Sequence, residues 1–218
     1  MNSFFSAETL VICLTSLKTS SVAIVVASLL GIPVALWAAG RHFTGRGALV
    51  TVFSTLTALP SVFVGVLLYS LLSRSGPLGA LEMLYTWQAM TMGQILLALP
   101  LIVSLTLAAL SRTDLRLRKE LITLGVPAWR AGWILIKEAR AGVLAAVVAA
   151  FGRVFTEVGS ALMLGGNIRH STRTITTSIA METSKGNFQL SLGLGFLLLA
   201  VALAINIGFH RLQESRAS

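Results

Sequence analysis

Apolar residues dominate this chain in long blocks, and the polar positions between them mark where each block ends. Stretches free of charge run over 19–40, 47–73, 83–111 and 186–210. Each is long enough for a helix of about 20 residues to cross the hydrocarbon core of a bilayer. A fifth stretch, 141–164, has the same apolar character but contains Arg153 and Glu157. It spans only if that pair is accommodated. Ahead of the first block, "SAETLVICLTSLKTSS" reads as outer turns of the same helix, interrupted by Lys18. The expected architecture is an all-α membrane protein forming a single unit over 1–218. Its five transmembrane helices lie near 10–39, 47–72, 86–111, 141–164 and 187–210.

Composition supports the membrane reading. The 218 residues are 55% hydrophobic and 11% charged, against about 25% charged in an average soluble domain, and the mean hydropathy is +0.84. The net charge of +9 takes its meaning from where the cations lie. Arg41 and Arg46 sit in one connection, Arg112, Arg116, Arg118, Lys119, Arg130, Lys137 and Arg140 in another, and Arg211 and Arg216 in the tail. The opposite side has Lys18, Arg74, Arg169, Arg173 and Lys185. Cytoplasmic loops are enriched in Lys and Arg, so eleven cations against five put the amino terminus outside and the carboxyl terminus in the cytoplasm. The start "MNSFFSAE" lacks the positive leader of a signal peptide. Pro33, Pro60 and Pro100 fall inside spans, where kinks are expected.

Residues 112–140, "RTDLRLRKELITLGVPAWRAGWILIKEAR", are patterned beyond what a connector needs. Thr113 or Asp114 can cap a helix whose apolar stripe is Leu115, Leu117, Leu121, Ile122 and Leu124. Gly125 supplies a left-handed stop, and Pro127 suits the first turn of a second helix from Ala128 to about Ile136. Trp129, Trp133 and Ile136 are expected on its apolar side. This helix-turn-helix, 113–136, has three readings. It could bind DNA, although both ends run into spans and leave no independent core. It could rest on lipid as an amphipathic segment. It could receive a cytoplasmic partner.

The Arg153–Glu157 pair raises the remaining question. On a continuous helix starting at Ala141, Arg153 lies about 18 Å and Glu157 about 24 Å along the axis, past the midplane. Unpaired charge at that depth costs about 2.5–3.5 kcal/mol, whereas an i,i+4 pair shares a face and neutralises itself. Ala146, Ala149, Gly152, Thr156, Gly159 and Ser160 lie on the same side, which is expected to face the bundle. The pair is either a structural lock between helices or a gate in an anion path, with Arg153, Thr156, Glu157 and Ser160 as its residues. An intramembrane carboxylate also allows a proton relay, so a proton-coupled secondary transporter of a small anion is an alternative function. That class shows repeat halves and broken helices, whereas this chain reads as five spans with one intramembrane acid. The outer segment "GGNIRHSTRTITTSIAMETSKGN" holds Arg169, Arg173, Lys185 and many hydroxyls. These are donors for an oxyanion or an acidic rim, or loop residues that satisfy one another.

"TLGVPAWRAGWIL", preceded by "RKEL", resembles the cytoplasmic signature of ATP-binding-cassette importer permeases: Glu-Ala-Ala, three residues, Gly, nine residues, Ile-x-Leu-Pro. Aligned on Gly125, Lys119 occupies the glutamate position, Glu120 comes one place late, and Leu121 replaces the second alanine. Leu135, Lys137 and Glu138 stand where the motif ends in Ile, Leu and Pro. "TALPSVFVGVLLYSLLSRSGPLG", "GQILLALPLI", "KEARAGVLAAVVAAFGRVFTEVGSALMLGGNI" and "TRTITTSIAMETSKGNF" resemble the tungstate-type permeases over most of 10–210. Molybdate and sulfate permeases are similar but carry Gly-Glu-Phe-Gly where this chain has Thr156, Glu157, Val158 and Gly159.

The resemblance implies a permease subunit of an ATP-driven importer for tungstate or a related oxyanion, in the cytoplasmic (inner) membrane of a prokaryote. Its implied partners are a second copy of the permease, a cytoplasmic ATPase dimer, and a periplasmic or lipid-anchored oxyanion-binding protein, besides membrane lipid; nucleic acid is not among them. It assigns Glu120, Leu121, Leu124, Gly125 and Trp129 to ATPase coupling. The chain has no Gly-x4-Gly-Lys-Ser/Thr phosphate loop, so ATP hydrolysis is expected on another subunit. No catalytic, cofactor or metal site is expected, and His42, His170 and His210 read as interfacial residues.

Overall fold

The computed structural model describes residues 7–40, 45–113 and 123–214, and among these every regular element is helical. In chain order the α-helices are α1 (Ala7–Gly40), α2 (Arg46–Leu56), α3 (Ser61–Leu72), α4 (Trp87–Ser111), α5 (Ala128–Glu138), α6 (Arg140–Phe155), α7 (Gly159–Gly165), α8 (Ile175–Ser184) and α9 (Phe188–Glu214), with a short 3-10 helix at Gly79–Leu81 between α3 and α4. Three helices are individually long and apolar enough to cross a membrane: α1, α4 and α9. The α2–α3 and α6–α7 pairs qualify only when taken together, and they bend by 94° and 59°. Five spans are therefore reached by counting each bent pair as one.

The centre of the bundle is the α1–α4 pair. Buried positions on α1 recur every three or four residues as Ile12, Ser16, Thr19, Ala23, Ala27, Gly31, Ala35 and Ala38, one face of a 3.6-residue helix. Nearly all are small, which lets the backbones approach closely. A methyl group on Gly31 would sit 3.1 Å from Ile102 Cγ2. The helices run in the same direction. Lys18 Nζ lies 4.0 Å from the centre of the Trp87 ring at the head of α4, while Ala35 and Ala38 pack with Val103, Leu107 and Leu110 near its foot. Since Glu8 precedes Lys18 by ten residues, α1 overhangs the start of α4 by about 15 Å.

Each proline behaves differently. Pro33 and Pro100 sit inside unbroken helices. Pro60 instead terminates one helix and starts the next. The residue before a proline is driven out of helical geometry, and Pro60 itself is extended at ψ 129 before α3 begins. The end of α2 tightens ahead of it: Thr57 N donates to Phe53 O and Ser54 O, and Ala58 N donates to Thr55 O at 3.0 Å. The expected kink is thus a full corner.

The 141–164 stretch also departs from expectation, because it is not one helix. α6 stops at Phe155, and Thr156–Val158 form a break before α7. The outer segment expected as a loop contains α8, whose Ile175, Thr176, Thr177 and Ser178 are buried. A capping box of Thr174 and Thr177 starts that helix. Between α7 and α8, Gly166 and Asn167 both adopt left-handed backbone at φ 66 and 50. A methyl on Gly166 would also lie 2.7 Å from the Tyr85 ring, which accounts for glycine there.

The bend brings α7 against α3 through glycine. A Cβ on Gly65 would lie 2.9 Å from Met163 Sδ and 3.2 Å from the backbone Cα of Ser160. Gly65→Leu is expected to lower protomer stability by about 1–3 kcal/mol, the usual cost of overpacking. Gly195→Ala, with nothing within 4 Å of the added carbon, is expected to be neutral. Thermal unfolding of both variants in detergent checks this; equal midpoints would disprove the tight α3–α7 contact.

Candidate functional site

Glu157 sits in the break, not on a continuous helical face. Its side chain is 3% exposed. One carboxylate oxygen, Oε2, accepts from Arg153 Nη1 at 2.7 Å. The other, Oε1, accepts from the backbone N–H of Ser160 at 3.2 Å, one of the unpaired donors at the start of α7. Its backbone carbonyl accepts from Thr176 Oγ1 at 2.8 Å, which ties the head of α8 to the same point. A buried carboxylate is tolerable only when paired and hydrogen-bonded, and both oxygens of Glu157 have such partners.

Polar groups on other helices surround the break. Gln94 of α4 is buried and donates from Nε2 to Val154 O at 3.2 Å and to Ser20 Oγ at 3.3 Å. Ser16 Oγ accepts from Ile175 N at 2.9 Å. Gln94 Oε1 and Ser160 Oγ are buried without a hydrogen-bond partner. Gln94, Ser16, Ser20 and Thr176 were not anticipated. The available signal was an amide inside an otherwise apolar span, since buried amides and hydroxyls join helices in lipid.

The four expected pathway residues separate into two environments. Glu157 and Ser160 are buried within the protomer. Arg153 keeps a side chain 40% exposed, and Thr156 is exposed, its hydroxyl returned to Gly152 O at 2.9 Å. The orientation of α6 corrects the expected one. Val143, Ala146, Ala150, Phe151, Val154 and Phe155 face the protomer core, with Phe151 and Phe155 stacked at 5.3 Å. Ala145, Ala149 and Thr156 are exposed, with Gly152 and Arg153 part-exposed beside them. Aromatic residues occupy the bundle because they remove more apolar surface than alanine does.

At the far end of α1 and α4 lies the expected coupling segment. Glu120 and Leu121 lie outside the described residues, as does the side chain of Trp129 and nearly all of the first of its two helices. Gly125 is left-handed at φ 65 with open space around it, and Pro127 precedes α5 as expected. The apolar side of α5 differs from expectation: Leu135 is buried against Ala35, Ala38 and Leu107, whereas Trp133 is exposed. Leu124 is 76% and Trp133 59% exposed. Lys137 Nζ lies 5.8 Å from the Trp133 ring. Between α4 and the α5–α6 corner is a cavity of about 800 Å³, lined by Ala108, Ala141, Ala145 and Ala149 with Arg112 and Glu138. Among the described residues, no three His, Cys, Asp or Glu side chains converge as metal ligands would.

The family model described as "binding-protein-dependent transport system inner membrane component" matches residues 31–216. A probable anion ABC transporter permease protein of Haloferax volcanii is 41% identical over 196 residues, 88% of this chain and 84% of that protein. The tungstate uptake system permease protein TupB of Peptoclostridium acidaminophilum is 36% identical over 210 residues, covering 96% of this chain and 92% of the relative. TupB of Campylobacter jejuni is 33% identical over 201 residues, 92% and 84% of the two chains. With the match running from the second half of α1 through α9, the chain belongs to the family of inner-membrane components of binding-protein-dependent transport systems.

Proposed function

We propose that this chain is the permease subunit of an ATP-driven importer of tungstate or a closely related oxyanion. The observation that carries the substrate class is the likeness to tungstate uptake permeases over 96% and 92% of the chain. The Thr156-Glu157-Val158-Gly159 run at the break favours the same class. In this reading each bent pair crosses the membrane once, the amino terminus lies outside, and the Gly40 end of α1 faces the cytoplasm. Arg46, whose Nε donates to Ala38 O at 3.2 Å, then closes α1 at the cytoplasmic side. Family membership argues against the proton-coupled alternative. Two copies form the path, and a cytoplasmic ATPase pair and an external binding protein complete the importer.

Lock and gate are divided between the two charges. Glu157 is the lock, since its contacts are internal and hold three elements together. Arg153 and Thr156, on the exposed side of α6, line the path and meet the second copy. A cation half-neutralised by Glu157 attracts a dianion without retaining it. Leu124, Gly125 and Trp133 form the surface that enters the ATPase, with Leu135 anchoring α5 to the bundle. Exposed apolar residues beside a rigid turn suit a protein partner better than water.

Three outcomes test these assignments. The purified chain is expected to hydrolyse no ATP alone, and to import tungstate when combined with its ATPase and binding protein; import that survives loss of the ATPase but collapses with an uncoupler would reverse the reading.

Arg153→Ala is expected to lower stability more than Arg153→Ala with Glu157→Ala, because the single change strands a buried carboxylate, costing about 3–5 kcal/mol. Unfolding midpoints of the variants measure this. Both folded forms should import poorly, and normal import by the folded double variant would remove Arg153 from the path.

Gly125→Ala should be mild, about 1–2 kcal/mol for a side chain in left-handed backbone. Gly125→Asp puts a charge on the docking surface, so membrane abundance should be unchanged while co-purification of the ATPase or uptake is lost. A retained complex with wild-type uptake would disprove docking through this turn.

A further inference from the structure

α1 overhangs the head of α4, and the overhang carries an acid. Glu8 is met there by two arginines more than 160 residues away in sequence. Arg169 donates from Nε to Oε1 at 3.0 Å and from Nη2 to Oε2, a two-pronged grip. Arg173 adds Nη1 to Oε1 at 2.9 Å. Its Nη2 reaches Asn167 O at only 3.5 Å, and its Nε is buried without an acceptor. Arg169 remains 63% exposed and Glu8 27% exposed, while Arg173 is 16% exposed.

Two features of this cluster are not explained by a structural tie. The charges do not balance: two guanidinium groups hold the one Glu8 carboxylate, and the nearby Glu182, which Arg173 also feels, is already paired with Lys185, so the cluster keeps a net positive charge. The donors outnumber the acceptors as well, since a carboxylate offers two oxygens and leaves Arg173 Nε unsatisfied. A tetrahedral oxyanion offers four oxygens and two charges, and the planar guanidinium fork recognises it as it does a carboxylate. The present occupant hangs on the first described turns of the chain, beyond the level of Trp87. It is held by charge and hydrogen bonds at a partly wet surface, where a competing anion in solution can reach the exposed Arg169 fork.

We infer that Arg169 and Arg173 form a receiving site for a tetrahedral oxyanion on the outer face, held closed by the Glu8 carboxylate as a tethered competitor. The site rests on the outward orientation of the Glu8 end in the proposed function. Glu8 keeps the clamp ordered when no anion is present and gives way when a dianion arrives. Affinity is reduced by the fraction of time the clamp is open. A clamp occupied by Glu8 nine-tenths of the time therefore binds about tenfold more weakly than an empty one.

The test measures tungstate binding to the purified full transporter by titration calorimetry, without binding protein and in detergent free of anionic lipid. Glu8→Gln removes the competing charge while keeping the side-chain length. It is expected to bind tungstate about tenfold more tightly than wild type, and Arg169→Ala in the same chain should cancel the gain. A role in structure alone would change the unfolding midpoint and leave anion binding unmoved. Equal affinity in wild type and Glu8→Gln overturns the inference, as does a gain that survives Arg169→Ala. Uptake by cells expressing the wild-type importer separates this from the proposed function. Normal tungstate import with no gain in binding removes the clamp only; tightened binding without any import removes the importer reading and leaves the clamp.

Discussion

A single buried carboxylate ties together the helices around the α6–α7 bend. Glu157 accepts from a guanidinium and from the first turn of α7, and its own carbonyl accepts from α8. Remove those donors and a charge is stranded in a low-dielectric interior, a state that folds poorly. The bend between α6 and α7 is therefore coupled to the position of α8. Gln94 extends that coupling to α4 by donating to Val154 O, a carbonyl that also accepts Glu157 N at 3.2 Å.

The two bends have different causes. At Pro60 the interruption is local: the ring forbids helix at the preceding residue and the chain turns by 94°. At Thr156–Val158 no proline is present, and the interruption is tertiary. Backbone groups freed inside a membrane protein must find partners within the protein. Here Glu157, Gln94 and Thr176 supply them. Pro33 and Pro100 show that a proline alone does not produce a corner where neighbouring helices support the segment.

Charge is sorted along the bundle accordingly. One end gathers Glu8, Arg169, Arg173 and the Lys185–Glu182 pair at 2.9 Å. There Glu182 also accepts from Asn187 Nδ2 at 3.1 Å, and the hydrogen bond from Lys185 holds its carboxyl below the usual range. The other end gathers Arg46, Arg112, Lys137 and the exposed Leu124–Trp133 surface. Arg153 lies between them, half-exposed on a face of small residues.

Much of this was legible in the sequence. Charge-free blocks located the helices because length and hydropathy are properties of a segment by itself. Gly125 and Pro127 announced a left-handed turn and a helix start for the same reason: each constrains its own backbone. The Arg153–Glu157 pairing followed from spacing alone and holds at 2.7 Å. Three things were beyond it. The break at Glu157 depends on Ser160, Thr176 and Gln94 converging from separate elements. The outward side of α6 depends on whether aromatics or alanines win the core, a contest decided chiefly by α4 and α1. The Glu8–Arg169–Arg173 cluster joins positions more than 160 residues apart. Local chemistry set the apolar blocks, the turn at Gly125 and the pairing of charges within a turn; only the packed bundle decided where α6 breaks and which buried polar groups found donors, because that requires partners no neighbouring residue can supply.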